Sequence, residues 1–123
     1  PVGRFHTPQR REVTMTHRLP DTLRRYFAAQ NSHDAEGMTA CFTPDAEVRD
    51  EGHTYVGREA IRRRKLETIA KYAITIDPLA ATDQAGTLTV TARVTGDFPG
   101  SPADLTYDFL FDASGLIHRL AIH

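Results

Sequence analysis

The strictest constraint on the fold is the alternation of residue types over residues 87–95. Every second position in this segment is apolar, and the positions between carry threonine or arginine. The apolar positions are Leu88, Val90, Ala92 and Val94. Because successive side chains of a strand point to opposite faces, the pattern predicts a strand with one face on a core and the other toward solvent. Such strands are typical of antiparallel sheets covered on one side.

The segments around it are also predicted to be strands. Residues 72–80 are rich in isoleucine and threonine, and residues 116–123 form the last predicted strand. Residues 104–112 alternate again, which directs Leu105, Tyr107, Phe109 and Phe111 inward. We therefore expect the second half of the chain to be a meander of strands.

The first half has helical periodicity. Apolar side chains at helical spacing predict a first helix over residues 19–30, a short second helix near Met38, and a third over residues 58–70. The residues expected on the buried faces are Leu19, Leu23, Tyr26, Phe27, Gln30, Ala35, Met38 and Phe42, with Ile61, Leu66, Ile69 and Ala70 in the third helix. A strand over residues 46–51 separates the second and third helices, and residues 52–57 are interpreted as a turn.

Helices followed by a meander indicate the α+β class: three N-terminal helices packed over the concave face of a curved antiparallel sheet. Strand twist curls such a sheet around the helices, and short helices leave part of the hollow unfilled. We expect a small-molecule pocket there. Residues 1–17 show no period and are interpreted as a flexible N-terminal arm, and residues 18–123 as one domain.

Composition excludes several classes of function. The net charge is -1, so no overall field favours nucleic acid or anionic membranes. The sequence has one cysteine, Cys41, and no apolar run of membrane-spanning length, which favours a cytoplasmic protein. It has neither the short ligand spacings of a metal site nor a phosphate-binding or dinucleotide motif, and we expect neither metal nor cofactor.

Several motifs resemble one known superfamily. They are Arg25–Asn31 (RYFAAQN), Asp34, Phe42, Pro44–Ala46, Val48, Asp50 and Gly57–Arg62 (GREAIR). Together they are similar to the nuclear transport factor two-like superfamily, which has a cystatin-like fold. Within it, the chain looks most like the SnoaL-like branch, which includes polyketide cyclases, and like ketosteroid isomerase. The resemblance covers residues 19–123.

The resemblance implies roles for three residues. Asp50 falls where ketosteroid isomerase has its general base, and Tyr26 where that enzyme has the tyrosine that donates to the oxyanion. Tyr107 replaces the third group, a protonated aspartic acid, and retains a hydroxyl that can donate. Arg64 departs from the pattern, because related sequences place an apolar or aromatic residue there, at the pocket mouth.

The residues themselves support a pocket on the same face. Asp50 shares a strand face with Ala46 and Val48, so burial is expected to raise its pKa and make it a better base near neutral pH. His118 lies two residues before Leu120, so it is predicted to lie on the same, apolar face of the last strand. There it is either a core residue or a proton shuttle. The residues predicted to line the pocket are Phe42, Val48, Arg64, Val90, Ala92, Val94, Phe109 and Leu120.

The run Arg62–Lys65 is basic, but four adjacent helical residues spread around the helix, which favours a solvated face. Three functions remain open: an acid–base enzyme of the isomerase, cyclase or dehydratase type on a small apolar or polyketide-like substrate; a pocket that binds a ligand without turning it over; and a dimerisation module. The resemblance also implies a homodimer through the convex, threonine-rich sheet face.

Overall fold

Three helices lie over one face of a seven-stranded sheet in the computed structural model, which describes residues 11–13 and 19–123. The helices are α1 (Asp21–Asn31), α2 (Ala35–Thr39) and α3 (Arg58–Tyr72). The strands are β1 (Arg11–Val13), β2 (Phe42–Asp50), β3 (His53–Val56), β4 (Thr75–Gln84), β5 (Thr87–Thr95), β6 (Ala103–Phe111) and β7 (Ile117–Ile122). No helix in these described residues has the length and apolar character to span a bilayer.

The strands lie in the order β1-β4-β5-β6-β7-β2-β3, so the predicted meander β4 to β7 forms the middle of the sheet. All neighbouring pairs are antiparallel except β2 and β7, which run parallel. The prediction of an α+β fold with helices over a curved sheet is confirmed, and the sheet is mixed at this one pair. The two strands can be parallel because a long crossover through α3 and the meander connects them.

Several predicted boundaries change. Strand β2 begins at Phe42, which was expected on the second helix, and not at residue 46. Residues 11–13, assigned to a loose arm, form β1 and pair with Ala81–Asp83 of β4, while the rest of that arm lies outside the described residues. Residues 53–56, interpreted as a turn, form β3 in a hairpin with β2. Helix α3 continues to Tyr72, which shortens the predicted strand at its start.

The last strand contains a bulge that the alternation rule missed. Leu110 of β6 pairs with Arg119, but the next residue, Phe111, pairs with Ile117, so His118 has no partner in the ladder. An extra residue on one strand reverses the side-chain parity beyond it. Ile117 and Leu120 are therefore both buried, and His118 is exposed. The prediction that His118 lies on the apolar face is wrong.

Helix α1 is fastened to the sheet at both ends. The hydroxyl of Thr22 donates to the carbonyl of Gly115 in the β6–β7 turn (2.7 Å). At the other end, the Asn31 side chain donates to the carbonyl of Ile76 (2.9 Å) and accepts from its N–H (2.7 Å). These bonds hold the buried face of α1, which includes Tyr26 and Phe27, over the concave side of the sheet.

The convex face satisfies many of its polar groups within the chain. Arg93 on β5 forms an ion pair with Asp104 on β6 (2.9 Å), and Thr89 donates to Asp108 (2.7 Å), which also contacts His123 (2.8 Å). Cross-strand pairs of this kind stabilise a solvated sheet face. The homodimer through this face stays a prediction, which analytical ultracentrifugation would test.

Candidate functional site

A cavity of about 270 Å³ lies between α1, α3 and the concave face of the sheet. It is nearly twice the ~150 Å³ cavity that accepts benzene in a protein core, so it has room for a small ring compound. Strand β2, the turn that follows it and helix α3 contribute its charged groups, and apolar side chains form most of the remaining wall. The charged and phenolic residues in its wall are Tyr26, Asp50, Glu51, Tyr55, Arg64, Lys65, Tyr72 and Tyr107.

Asp50 lies in the cavity wall near the end of β2, with a side chain that is 24% exposed. Arg64 on α3 reaches it across 3.6 Å and also contacts Glu51 at 3.3 Å. Burial raises the pKa of Asp50 above its ordinary value, while the positive charges of Arg64 and Lys65 oppose that rise. The carboxyl group is therefore a stronger base than a solvated aspartate.

Tyr26 and Lys65 form a buried pair in the wall of the same cavity. The Lys65 ammonium donates to the Tyr26 hydroxyl oxygen at 2.6 Å, and both residues are buried. Burial lowers the pKa of Lys65 to about 8, with Asp50 opposing the change and Arg64 adding to it. Burial, followed by the negative charge of Asp50, raises the pKa of Tyr26. Because Lys65 occupies a lone pair of the phenol oxygen, the Tyr26 proton is free to donate into the cavity.

Tyr107 on β6 places a second phenol in the wall and is 4% exposed. Burial raises its pKa, and the nearby Tyr26 and Asp50 add to the effect. Its hydroxyl therefore remains protonated and can donate a hydrogen bond at any physiological pH.

Two further polar groups border the same space. Gln30 lies one turn after Tyr26 on α1 and is 5% exposed, so its amide is among the few polar groups in the apolar part of the wall. The Nε atom of Arg64 is buried and has no hydrogen-bond partner among the described residues. A buried donor without a partner is destabilising by about 1–3 kcal/mol, which a ligand oxygen at this atom would relieve.

This geometry places a carboxyl group, two phenol hydroxyls and cationic groups around one partly open cavity, an arrangement that suits acid–base chemistry. A model of the SnoaL-like domain matches residues 23–116. The chain belongs to the SnoaL-like domain family. No curated protein matches this sequence.

Solved structures resemble this SnoaL-like domain over most of its length. A candidate polyketide cyclase from Sinorhizobium meliloti is 38% identical, with a TM-score of 0.81 over 85% of this chain and 95% of that one. A protein with a ketosteroid isomerase-like fold from Catenulispora acidiphila, in complex with trimethylamine, is 20% identical, with a TM-score of 0.74 over 85% of each chain. SalBIII, an epoxide hydrolase/cyclase-like enzyme of pyran ring formation in salinomycin, is 18% identical, with a TM-score of 0.73 over 83% of this chain and 86% of that one.

The structure brings together six of the predicted site residues and places the others elsewhere. The six that line the cavity of the SnoaL-like domain are Tyr26, Val48, Asp50, Arg64, Val94 and Tyr107. Five predicted pocket residues are fully buried in the core beside it: Phe42, Val90, Ala92, Phe109 and Leu120. The cavity occupies only one end of the sheet, and the alternation of a strand indicates which face a residue is on but not how far along the strand the cavity extends. His118 is exposed and is not in the cavity wall.

Lys65 is a charged residue of the cavity wall that the sequence interpretation missed. The basic run Arg62–Lys65 was expected to be solvated, but Lys65 lies four residues after Ile61 and shares its buried helix face. Leu66 and Ala70, expected on that face, are exposed, and Ile69 is half-buried. The spacing from Ile61 indicated a buried position for Lys65, but the sequence interpretation gave more weight to the charge of lysine.

Replacing Arg64 with glutamine should raise the pKa of Asp50 further, because the guanidinium is the strongest opponent of the burial effect. The measurement is a ¹³C NMR titration of the Asp50 carboxyl. Arg63→Gln is the matched control. Arg63 precedes Arg64 on α3, but its side chain is exposed and pairs with Glu59 at 3.5 Å instead of with Asp50. A fall in the Asp50 pKa after Arg64→Gln would contradict this electrostatic account.

Proposed function

We propose that this SnoaL-like domain is a cofactor-independent acid–base enzyme of the isomerase, cyclase or dehydratase type, acting on a small apolar or polyketide-like carbonyl compound. The observation that carries the proposal is a carboxylate with a raised pKa that shares one cavity with two protonated phenols. The S. meliloti relative, a candidate polyketide cyclase, supports the substrate class.

Asp50 acts as the general base in this proposal. Its carboxylate removes a proton from a carbon next to the substrate carbonyl, or from a water that attacks the substrate. Both steps benefit from a base whose pKa lies above that of a solvated aspartate. Arg64, 3.6 Å away, favours the ionised form of Asp50 by opposing the effect of burial on its pKa.

Tyr26 donates to the carbonyl oxygen as negative charge develops on it. The Lys65 ammonium, 2.6 Å from the Tyr26 oxygen, stabilises the charge that this oxygen gains as its proton moves toward the substrate. Tyr107 supplies a second donor from the sheet. Hydrogen-bond donors that are already in place in a water-poor cavity stabilise an oxyanion more than the same donors in bulk water.

A pocket that binds a ligand without turning it over is the second candidate. The observation in its favour is the guanidinium of Arg64, which stands in the wall with its Nε atom buried and without a partner among the described residues. An anionic or carbonyl oxygen held there would be bound beside Asp50 without needing proton transfer. The third candidate, a domain that serves only for dimerisation, requires the cavity to be filled by side chains. It has less support because the cavity is open.

An exchange experiment separates the enzyme from the binding protein without knowledge of the natural substrate. Cyclohexanone and small cyclic diketones are incubated with the protein in D₂O, and loss of the α-proton signals is followed by ¹H NMR. We expect Asp50→Asn to slow the catalysed exchange by about 100-fold, within the range for loss of a general base.

Asp45→Asn is the matched control, since Asp45 lies on the same strand but is exposed. It should exchange at the wild-type rate. Binding of the ketones without catalysed exchange would favour the ligand-binding function. Equal catalysed exchange by wild type and Asp50→Asn would exclude Asp50 as the base.

A further inference from the structure

Lys65 is an uncommon kind of buried lysine, because no carboxylate of the described residues forms an ion pair with it. Its hydrogen bond goes to the neutral phenol of Tyr26, and none of the ion pairs among the described residues includes it. Lysine is rarely fully buried unless it is paired with an opposite charge. A buried amine that lacks such a pair is stabilised in its neutral form, which has a nucleophilic lone pair.

The position of Lys65 would also suit a nucleophile. Its side chain lies in the wall of the cavity, so a carbonyl compound bound there is within reach of the amine. We propose that Lys65 forms a Schiff base with small apolar aldehydes or ketones, so that this domain has a covalent, amine-based activity in addition to acid–base chemistry. The inference goes beyond the proposed function and does not need Asp50 to be the base.

The covalent step is balanced by groups of the cavity. The neutral Lys65 nitrogen attacks the carbonyl carbon, and one proton of this nitrogen passes through the Tyr26 hydroxyl to the carbonyl oxygen, which gives a neutral carbinolamine. Tyr26, 2.6 Å from the nitrogen, is placed to donate a proton to the departing hydroxyl, which leaves as water and gives the iminium. The tyrosinate left at Tyr26 then takes the remaining proton of the iminium nitrogen, which gives the neutral imine and restores the phenol. Water reverses each step and releases the carbonyl compound.

The charges around Lys65 determine how much of it is neutral. Burial lowers its pKa to about 8, the neighbouring Arg64 lowers it further, and Asp50 on β2 acts in the opposite direction. The other ionisable groups in the cavity wall are Tyr26, Glu51, Tyr55, Tyr72 and Tyr107. At pH 7 about a tenth of such an amine is neutral, against less than one part in a thousand for a solvated lysine.

Reductive trapping tests the inference with an internal control. The chain contains two lysines, Lys65 and the exposed Lys71, and cleavage at Glu67 separates them into different peptides. The protein is treated with butanal and sodium cyanoborohydride at pH 7, and alkylation at each lysine is followed by mass spectrometry. We expect the initial rate at Lys65 to exceed that at Lys71 by at least about tenfold, since neutral amine is the reactive species.

Two variants complete the test. Lys65→Met should lose that adduct and leave the rate at Lys71 unchanged. Asp50→Asn should keep the adduct, so failure of the Asp50 exchange experiment and failure of this one are distinguishable. Alkylation of Lys65 no faster than that of Lys71 overturns the inference, as does a Lys65 rate that fails to fall when the pH is lowered from 8 to 6.

Discussion

Replacing Phe109 with alanine should lower the free energy of unfolding by about 3–5 kcal/mol, the usual range for a fully buried phenylalanine. Phe109 is 0% exposed, and its ring lies 6.0–6.2 Å from four others, those of Tyr26, Phe27, Tyr107 and Phe111. Truncation removes the apolar contacts and leaves a void that α1 and β6 can close only in part. Urea denaturation, followed by circular dichroism, measures the loss.

Phe98 provides the matched control. It lies in the β5–β6 loop, is half-buried, and borders the cavity instead of the aromatic core. Phe98→Ala should lose roughly half as much stability or less, because less apolar surface is buried there. Equal losses in the two variants would show that Phe109 is packed no more tightly than a residue at the cavity border, and would contradict its assignment to the core.

The strand pattern was readable from the sequence because alternation is a direct physical consequence of the pleat. Residues 87–95 were predicted as one strand, and Leu88, Val90, Ala92 and Val94 are all buried. The buried apolar face of α1 was predicted in the same way, from the helical spacing of its apolar side chains. These features depend on which side of an element is apolar, and that information is local.

Features that depend on the pairing of strands could not be predicted in this way. His118 was placed inward by parity, but the bulge opposite Leu110 and Phe111 reverses that parity. The bulge is a property of two strands together, and nothing within residues 117–122 marks it. The boundary between cavity and core is likewise set by how far α1 and α3 cover the sheet, which is why Phe109 was assigned to the pocket wall.

Lys65 shows a different limit. Its charge favours solvent, whereas its position relative to Ile61 favours the buried face, and the sequence offers no measure of which is stronger. The outcome depends on Tyr26, 39 residues earlier in the chain, whose hydroxyl accepts the hydrogen bond that makes burial tolerable. A partner from another helix becomes visible only once the helices are docked.

Replacing Lys65 with methionine should stabilise the protein at pH 7 and change how its stability depends on pH. Burial lowers the pKa of Lys65 from 10.5 in the unfolded chain to about 8 in the fold, so below pH 8 the folded state holds a charge that its surroundings disfavour. A shift of this size corresponds to about 3 kcal/mol. Methionine removes that penalty but also the hydrogen bond to Tyr26, worth about 1 kcal/mol, which leaves a net gain of about 2 kcal/mol.

The sign of the pH dependence follows from proton binding. Between pH 8 and 10.5 the unfolded chain binds a proton at Lys65 that the folded protein has already released, so the wild type gains stability relative to Lys65→Met as the pH rises. Denaturant melts of both proteins from pH 7 to 11 measure the difference, in which the titrations of all other groups largely cancel. Lys71→Met, at an exposed position, should differ from wild type by a constant amount. An advantage of Lys65→Met that stayed constant or grew with pH would mean that Lys65 is charged in the fold without penalty, and its role as a neutral nucleophile would lose its physical basis.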